Sequence, residues 1–173
     1  MENNGYVLTK KENNSHRMVQ SILLNNYNLK STTTYNNITN NVDIIVEDGT
    51  EIEVKFRVLT GSTYYFNNGF IFEKMKYDKI DHNKKYRYVN IIKYKNDIYS
   101  LSWDIDAIIN KYGWSDKMLP AKSEVNDQWK NKMINKKVIY LKPSDCKSIF
   151  KMVDEENYKF VKINSDLLFK NLN

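Results

Sequence analysis

Residues 41–58, NVDIIVEDGTEIEVKFRV, decide the fold class, because they predict a strand, a tight turn and a second strand. After the turn, Ile52, Val54 and Phe56 alternate with charged residues. Such alternation is typical of a strand that has one buried face. The apolar run before the turn and the Asp-Gly pair within it complete the pattern of a β-hairpin.

The turn of this hairpin admits two registers, which differ in where they place Asp43. A two-residue turn sets Asp43 opposite Val54, on the apolar side of the strand pair. A three-residue loop, with Gly49 in the left-handed position of a G1 bulge, sets Asp43 opposite Glu53. We expect the second register, because the sequence Glu-Asp-Gly suits that loop. The Cβ atoms of the two acidic residues are then about 5 Å apart.

The expected register gathers charged side chains on one face of the hairpin. Lys55 follows Glu53 by two residues, so it lies roughly 7 Å further along the same face. Glu51 shares the face, and we expect it to be solvated at the start of the strand. Two carboxylates this close repel each other, and a Mg²⁺ ion, which prefers oxygen ligands, removes the repulsion. Such a metal lowers the pKa of a bound water and polarises a phosphate oxygen, while a lysine orients the attacking water.

The hairpin therefore predicts a site that hydrolyses phosphodiesters. The ordinary alternative is a solvated sheet face that carries charge pairs of no catalytic use.

The rest of the chain predicts a mixed α/β domain around this hairpin. Residues 10–27 carry an apolar stripe at helical spacing, and Thr9 with Glu12 matches a capping box. Residues 31–40 are β-leaning, residues 88–94 and 98–103 predict a hairpin, and residues 138–141 predict a short strand. We expect short helices at about 73–81 and 107–111, and a further helix from Pro143 to about residue 153. This order of helices and strands is typical of an α/β fold built on a mixed sheet.

Asp43, followed ten residues later by Glu53-Val54-Lys55, resembles the motif of the PD-(D/E)XK nuclease superfamily. The apolar strand around Asp43, the upstream helix at 10–27 and the basic segment at 73–78 also resemble that family. The resemblance covers roughly residues 9–95. Asn41-Val42 stands where many members have a proline before the aspartate, and other members also lack it.

The resemblance implies a restriction-endonuclease-like fold, which is a mixed β-sheet flanked by helices with an αβββαβ core. We expect one domain over residues 1–173, with its core at about 9–95 and accessory elements at 96–173. By position, Asp43, Glu53 and the Val54 carbonyl would bind Mg²⁺, for which Mn²⁺ is a substitute. Lys55 would be the catalytic lysine. Glu12 has two interpretations, as a further metal ligand or as a helix cap.

Composition limits the class of protein further. The 173 residues are 41% hydrophobic, which is enough for a buried core, and the single Cys146 excludes a disulfide framework or a four-cysteine zinc site. No apolar run reaches the roughly 18 residues that span a bilayer. We therefore expect a cytoplasmic protein without a membrane partner. The many Lys, Asn, Ile and Tyr residues, which AT-rich codons encode, favour a phage or mobile-element origin, so the cytoplasm would be that of a host.

The basic residues of the chain, with a formal net charge of +6, concentrate after the hairpin. They are dense in residues 74–95 and 130–142. Clustered cations bind phosphate groups without regard to base sequence, so DNA is the expected partner. We expect Arg57, Lys74 and Lys76 to contact its backbone.

These expectations together predict a Mg²⁺-dependent DNA endonuclease. A homodimer is expected where both strands are cut symmetrically. The alternative is a catalytically inactive protein of the same fold, which binds nucleic acid or inhibits a host defence protein.

Overall fold

The first predicted helix is present with the expected bounds. A computed structural model of the chain describes residues 10–34, 42–121 and 132–172, so Thr9 and Asn41 lie outside the described residues. Helix α1 spans Lys10–Tyr27. Its residues Met18, Val19 and Ile22 recur at helical spacing and are buried, so this stripe attaches the helix to the sheet.

Ten described strands form two sheets, and four further helices connect or flank them. The strands are β1 (Ser31–Thr33), β2 (Ile44–Val46), β3 (Glu51–Leu59), β4 (Phe70–Glu73), β5 (Tyr86–Tyr94), β6 (Asp97–Asp104), β7 (Ser115–Pro120), β8 (Met133–Leu141), β9 (Ser148–Asp154) and β10 (Lys159–Ile163). The helices are α2 (Tyr64–Asn68), α3 (Lys74–Tyr77), α4 (Ile105–Tyr112) and α5 (Ser165–Leu172). The larger sheet has the order β1-β2-β3-β5-β6-β9-β10, and the smaller one has the order β4-β8-β7. The expected mixed α/β fold, a mixed sheet flanked by helices, is confirmed at this level.

The hairpin of β2 and β3 has the register that the three-residue loop predicts. Ile44 pairs with Ile52, and the Val46 N–H donates to the Thr50 carbonyl at 2.9 Å. Gly49 has a φ of +84°, the left-handed conformation that glycine adopts without a steric penalty. Asp43 immediately precedes Ile44, so the same register, continued by one residue, places Asp43 opposite Glu53.

Strand β3 has one antiparallel and one parallel neighbour in the larger sheet. It is antiparallel to β2 and parallel to β5 over its whole length, from Glu51 beside Tyr86 to Leu59 beside Tyr94. A parallel neighbour requires a crossover connection, and residues 60–85 provide it. This connection contains α2, β4 and α3, and β4 belongs to the smaller sheet.

The two faces of the larger sheet support separate cores. On the α1 side, Ile52, Val54, Val89 and Phe150 pack with the apolar stripe of the helix. On the other side, eight of the nineteen buried core residues are aromatic, and Trp103 is completely buried among them. The residues of this second core join the larger sheet to β4, β8 and the helices α4 and α5.

Two expected helices are corrected by the structure. Pro143–Asp145 forms only a single 3-10 turn, and the following residues form strand β9 instead of continuing a helix to residue 153. Ile149 and Phe150 then fill a sheet position between β6 and β10, where pairing with both neighbours outweighs local helix signals. The helix expected at 73–81 is shorter than predicted, because β4 includes Glu73 and α3 ends at Tyr77. None of the described helices is long and apolar enough to span a membrane.

Candidate active site

Asp43 immediately precedes β2, and its side chain reaches across to β3. The Val54 N–H donates to Asp43 Oδ2 at 2.6 Å, and the Asp43 N–H donates to the Ile52 carbonyl at 2.9 Å. The side chain is 33% exposed. Burial raises the pKa of Asp43, and the Glu53 charge adds to that rise, while the Val54 hydrogen bond and His16 oppose it. The backbone therefore holds this carboxylate beside the second one.

Both carboxylate oxygens of Glu53 are engaged by other side chains. Lys76, at the third position of α3, forms an ion pair with Oε1, and the Tyr86 hydroxyl donates to Oε2 at 2.7 Å. The Glu53 side chain is only 14% exposed. A carboxylate buried to this extent needs such partners, because desolvation without them is costly. Burial raises the pKa of Tyr86, and the Glu53 charge raises it further, so this phenol stays protonated and donates.

Lys76 is the cation of the carboxylate cluster, which we define as Asp43, Glu53, Lys76 and Tyr86. Its Nζ lies 5.8 Å from the centre of the Tyr88 ring as well as against Glu53. Burial disfavours the ammonium, but Glu53, Tyr88 and Asp43 favour it more strongly, so the pKa of Lys76 is raised overall. Sequence reasoning placed Lys76 on the DNA backbone. The structure places it within the carboxylate cluster itself.

Helix α1 contributes a histidine to the same site. His16 is buried, and its Nε2 lies 3.8 Å from Asp43 Oδ1. Burial lowers the pKa of His16 despite the charges of Asp43 and Glu12, so its imidazole is neutral at neutral pH. Glu12 lies one turn earlier on α1 and is close enough to influence His16 electrostatically. The interpretations of Glu12 as a metal ligand and as a helix cap both stay predictions, because the cap partner Thr9 lies outside the described residues.

Lys55 and the Val54 backbone lie where the register predicts. Lys55 is exposed on β3, two residues beyond Glu53, and pairs with Asn90 of β5 in the ladder. Because the Val54 N–H donates to Asp43, the backbone polar groups of Val54 face the β2 edge and not β5. The Val54 carbonyl is thus on the same side as the Asp43 carboxylate.

The other two basic residues expected at the DNA backbone each have a protein partner. Arg57 donates from Nε to Asn90 Oδ1 at 3.3 Å, and its guanidinium lies 5.6 Å from the centre of the Phe70 ring. Lys74 forms an ion pair with Asp78 at 2.5 Å on the exposed side of α3. Asn90 is fully buried, and its Nδ2 has no hydrogen-bond partner among the described residues.

The expectation that Glu51 is solvated is wrong. Glu51 is only 7% exposed, and the Lys84 ammonium lies 2.5 Å from its Oε1. Its N–H donates to the Lys85 carbonyl, so the first residue of β3 is already inside the parallel ladder. A strand start is exposed in an isolated hairpin, but here β5 begins alongside and covers it. Glu51 is a structural ion-pair partner at this position.

The donor atoms at this site match the preferences of Mg²⁺. Two carboxylates and a backbone carbonyl are hard oxygen ligands, which that ion takes together with several waters. Among the described residues, however, no three His, Cys, Asp or Glu side chains converge into a ready metal cluster. The Lys76 ammonium supplies a positive charge at Glu53. A divalent cation bound there would replace Lys76 as the counter-ion of the carboxylate.

Comparison of the chain with known protein families, with curated proteins and with solved structures gave no match. The residues of the site are therefore the only guide to its chemistry.

Sequence reasoning missed two members of the site for different reasons. His16 follows Glu12 by one helical turn, so its place on the same face of α1 was visible in the sequence. Tyr86 was not accessible in this way, because only the parallel pairing of β3 with β5 brings it to Glu53. That pairing joins segments that lie more than thirty residues apart, and no local pattern predicts it.

Proposed function

We propose that this protein is a metal-dependent phosphodiesterase that cuts DNA. The observation that carries the proposal is the alignment of Asp43 with Glu53 across the β2–β3 hairpin, with Lys55 two residues further along β3. The order of α1, three antiparallel strands and a crossover to the parallel strand β5 supports the resemblance to PD-(D/E)XK nucleases. The β4 strand inserted in the crossover and the short α3 depart from a simple αβββαβ core.

In this mechanism the chain positions the metal, the water and the phosphate. A bound Mg²⁺ supplies Lewis acidity toward a phosphate oxygen and lowers the pKa of a water. Asp43, Glu53 and the Val54 carbonyl would hold it, and Tyr86 keeps the Glu53 carboxylate oriented through Oε2. Lys55 orients the attacking water. The new bond joins the water oxygen to phosphorus, the bond to the 3′-oxygen breaks, and a proton is transferred from the water to that leaving oxygen through solvent.

Lys76 and Arg57 supply positive charge for the DNA phosphates in this proposal. With a divalent cation as the counter-ion of Glu53, the Lys76 ammonium would be free to face the substrate. Its exposed fraction of 37% already gives it access to solvent. Arg57 and Lys74 extend the positive charge toward the DNA backbone, where contacts are independent of base sequence.

The test is the nicking of supercoiled plasmid with Mg²⁺, with and without EDTA. We expect cleavage by the wild type, loss with EDTA, and about a hundredfold loss in Lys55→Ala, as for removal of a group that positions a reacting water. Lys93→Ala is the matched control, because Lys93 is an exposed lysine on β5 outside the cluster. Equal cleavage by Lys55→Ala and Lys93→Ala would contradict the role of Lys55.

A second candidate is a non-cleaving protein that binds nucleic acid through the same face. The engagement of both Glu53 oxygens by Lys76 and Tyr86 favours it, because the cluster is electrostatically complete without a metal. In that case, purified protein binds DNA in a salt-dependent manner, and neither linear, branched nor single-stranded DNA is cut with Mg²⁺ or Mn²⁺.

A further inference from the structure

A cavity of about 320 Å³ lies on the α1 side of the larger sheet, away from the face that carries Glu53. This volume is at the lower end of the roughly 300–1,000 Å³ found for small-molecule sites. Half of the residues that line it are apolar: Val19 and Ile22 from α1, Ile52 and Val89 of the sheet, and Phe150 are among them. An apolar body of modest size therefore fits beneath the helix.

One end of this cavity is basic. Strands β5 and β9 begin at the same end of the sheet, because each is antiparallel to β6 between them. This places Lys85 and Arg87, at the start of β5, near Lys147, which immediately precedes β9. Lys162 of β10 lines the same cavity. Arg87 is neutralised by Asp104 at 2.8 Å, but no ion pair within the described part of the chain involves the three lysines.

Hydroxyl groups lie between the lysines and the apolar wall. Ser102 and Ser148 are directly paired across β6 and β9, and Ser100 pairs with Phe150 on the same face. Ser100 is only 3% exposed, and it lines the cavity together with Ser102 and Ser148. A serine hydroxyl that lines a cavity can donate a hydrogen bond to a ligand oxygen.

Asp48 is the carboxylate among the residues that line this cavity, and the positive charge of Lys85 acts on it. Its Oδ1 accepts a hydrogen bond from the Thr50 N–H at 2.9 Å, and that bond lowers its pKa. The balance of charge at the basic end therefore stays positive. A cavity that is aliphatic at one end and cationic at the other is complementary to an amphiphilic anion.

We propose that this cavity binds an organic anion with an aliphatic body and a carboxylate or phosphate head group. The body lies between α1 and the Val89–Phe150 part of the sheet. The head group lies at Lys147 and Lys162, within reach of the serine hydroxyls. The proposal is independent of DNA cleavage, because it concerns the opposite face of the sheet.

The test is calorimetric titration of the full chain with decanoate and, separately, with decyl phosphate, which distinguishes the two head groups. We expect saturable binding of at least one of them. We expect Lys147→Gln combined with Lys162→Gln to weaken it about tenfold, since each lysine forms a charge-assisted contact. Lys159→Gln is the matched control, because Lys159 is an exposed lysine on the same strand as Lys162 but outside the cavity.

Two further measurements make the assignment specific. Ser102→Leu fills the cavity and should abolish binding, with thermal melting used to verify that the variant folds. Decanol has the aliphatic body without the charge, and inorganic phosphate has the charge without the body. Absence of saturable binding by both anions, decanol binding as tight as decanoate, or equal affinity in the double lysine variant would each overturn the proposal.

Discussion

Asp43 accepts a hydrogen bond from the backbone N–H of Val54, at 2.6 Å, across the two strands of the hairpin. The donor belongs to the residue between Glu53 and Lys55, so the three side chains of the candidate site are positioned through one backbone segment. Side chains held by strand backbone are placed more accurately than those carried on loops. A substitution that changes this hydrogen bond should therefore change both the melting temperature of the protein and its rate of DNA cleavage.

Asp43→Asn should stabilise the protein at neutral pH while it removes cleavage. Burial raises the pKa of Asp43 in the folded state. A group with a raised pKa contributes stability below its unfolded pKa and loses that contribution as pH rises through the folded pKa. The amide cannot ionise and can still accept from Val54. In EDTA, we expect the variant to melt above the wild type at about pH 7, with the difference shrinking toward about pH 3.

The control for this comparison is Glu155→Gln, which neutralises an exposed carboxylate in a turn. A similar pH-dependent gain in Glu155→Gln would mean that net charge, and not the buried Asp43, governs the effect.

Mg²⁺ should raise the melting temperature of the wild type. A ligand that binds only the folded state stabilises it by RT ln(1 + [L]/Kd), which is about 2.7 kcal/mol at one hundred times Kd. Glu53→Gln removes a carboxylate ligand, so we expect it to abolish most of the shift. Differential scanning fluorimetry over a Mg²⁺ titration measures this without any substrate. An equal shift in wild type and Glu53→Gln would argue against a metal at this carboxylate.

Lys76→Met should destabilise the fold, because it leaves Glu53 partly buried with the Tyr86 hydroxyl but without its cation. The expected loss is about 1–3 kcal/mol in urea unfolding, the cost of an unsatisfied buried polar group. Adding Glu53→Gln to Lys76→Met should recover part of that loss. The double-mutant cycle then gives the coupling between the two residues, and strictly additive losses would show that they do not interact.

Gly49→Ala should cost about 1–2 kcal/mol, and the penalty comes from the backbone alone. Gly49 has a φ of +84°, and a Cβ placed there meets no heavy atom within 4 Å. An L-residue in the left-handed region carries this conformational cost, although Asn tolerates it better. We therefore expect Gly49→Asn to lose less stability than Gly49→Ala in thermal melts. Equal losses in the two variants would show that the left-handed conformation of residue 49 does not determine the stability of the loop.

The hairpin could be predicted from the sequence because its determinants are local. Alternation at Ile52, Val54 and Phe56 gave the buried face, and the Glu-Asp-Gly loop gave the register that aligns Asp43 with Glu53. The bounds of α1 were equally accessible, since its apolar stripe is continuous.

The parts that could not be predicted depend on partners far along the chain. Strand β9 was expected as a helix, because the Pro-Ser signal before it is local and its pairing with β6 and β10 is not. The buried state of Glu51 and the approach of Lys76 to Glu53 likewise arise from the crossover that returns the chain beside β3. Charge content alone did not distinguish a lysine on the surface from one inside the cluster.

Strand β5 serves two sides of the molecule with alternate residues: Tyr86 and Tyr88 face the carboxylate cluster, and Arg87 and Val89 line the cavity under α1. A strand of this kind tolerates replacement of one side chain at a time, but it does not tolerate a change in length. One inserted residue within it would turn every later side chain to the opposite face. Between residues 86 and 94, substitutions therefore remain separable in their effects, whereas a single-codon insertion or deletion removes both surfaces together.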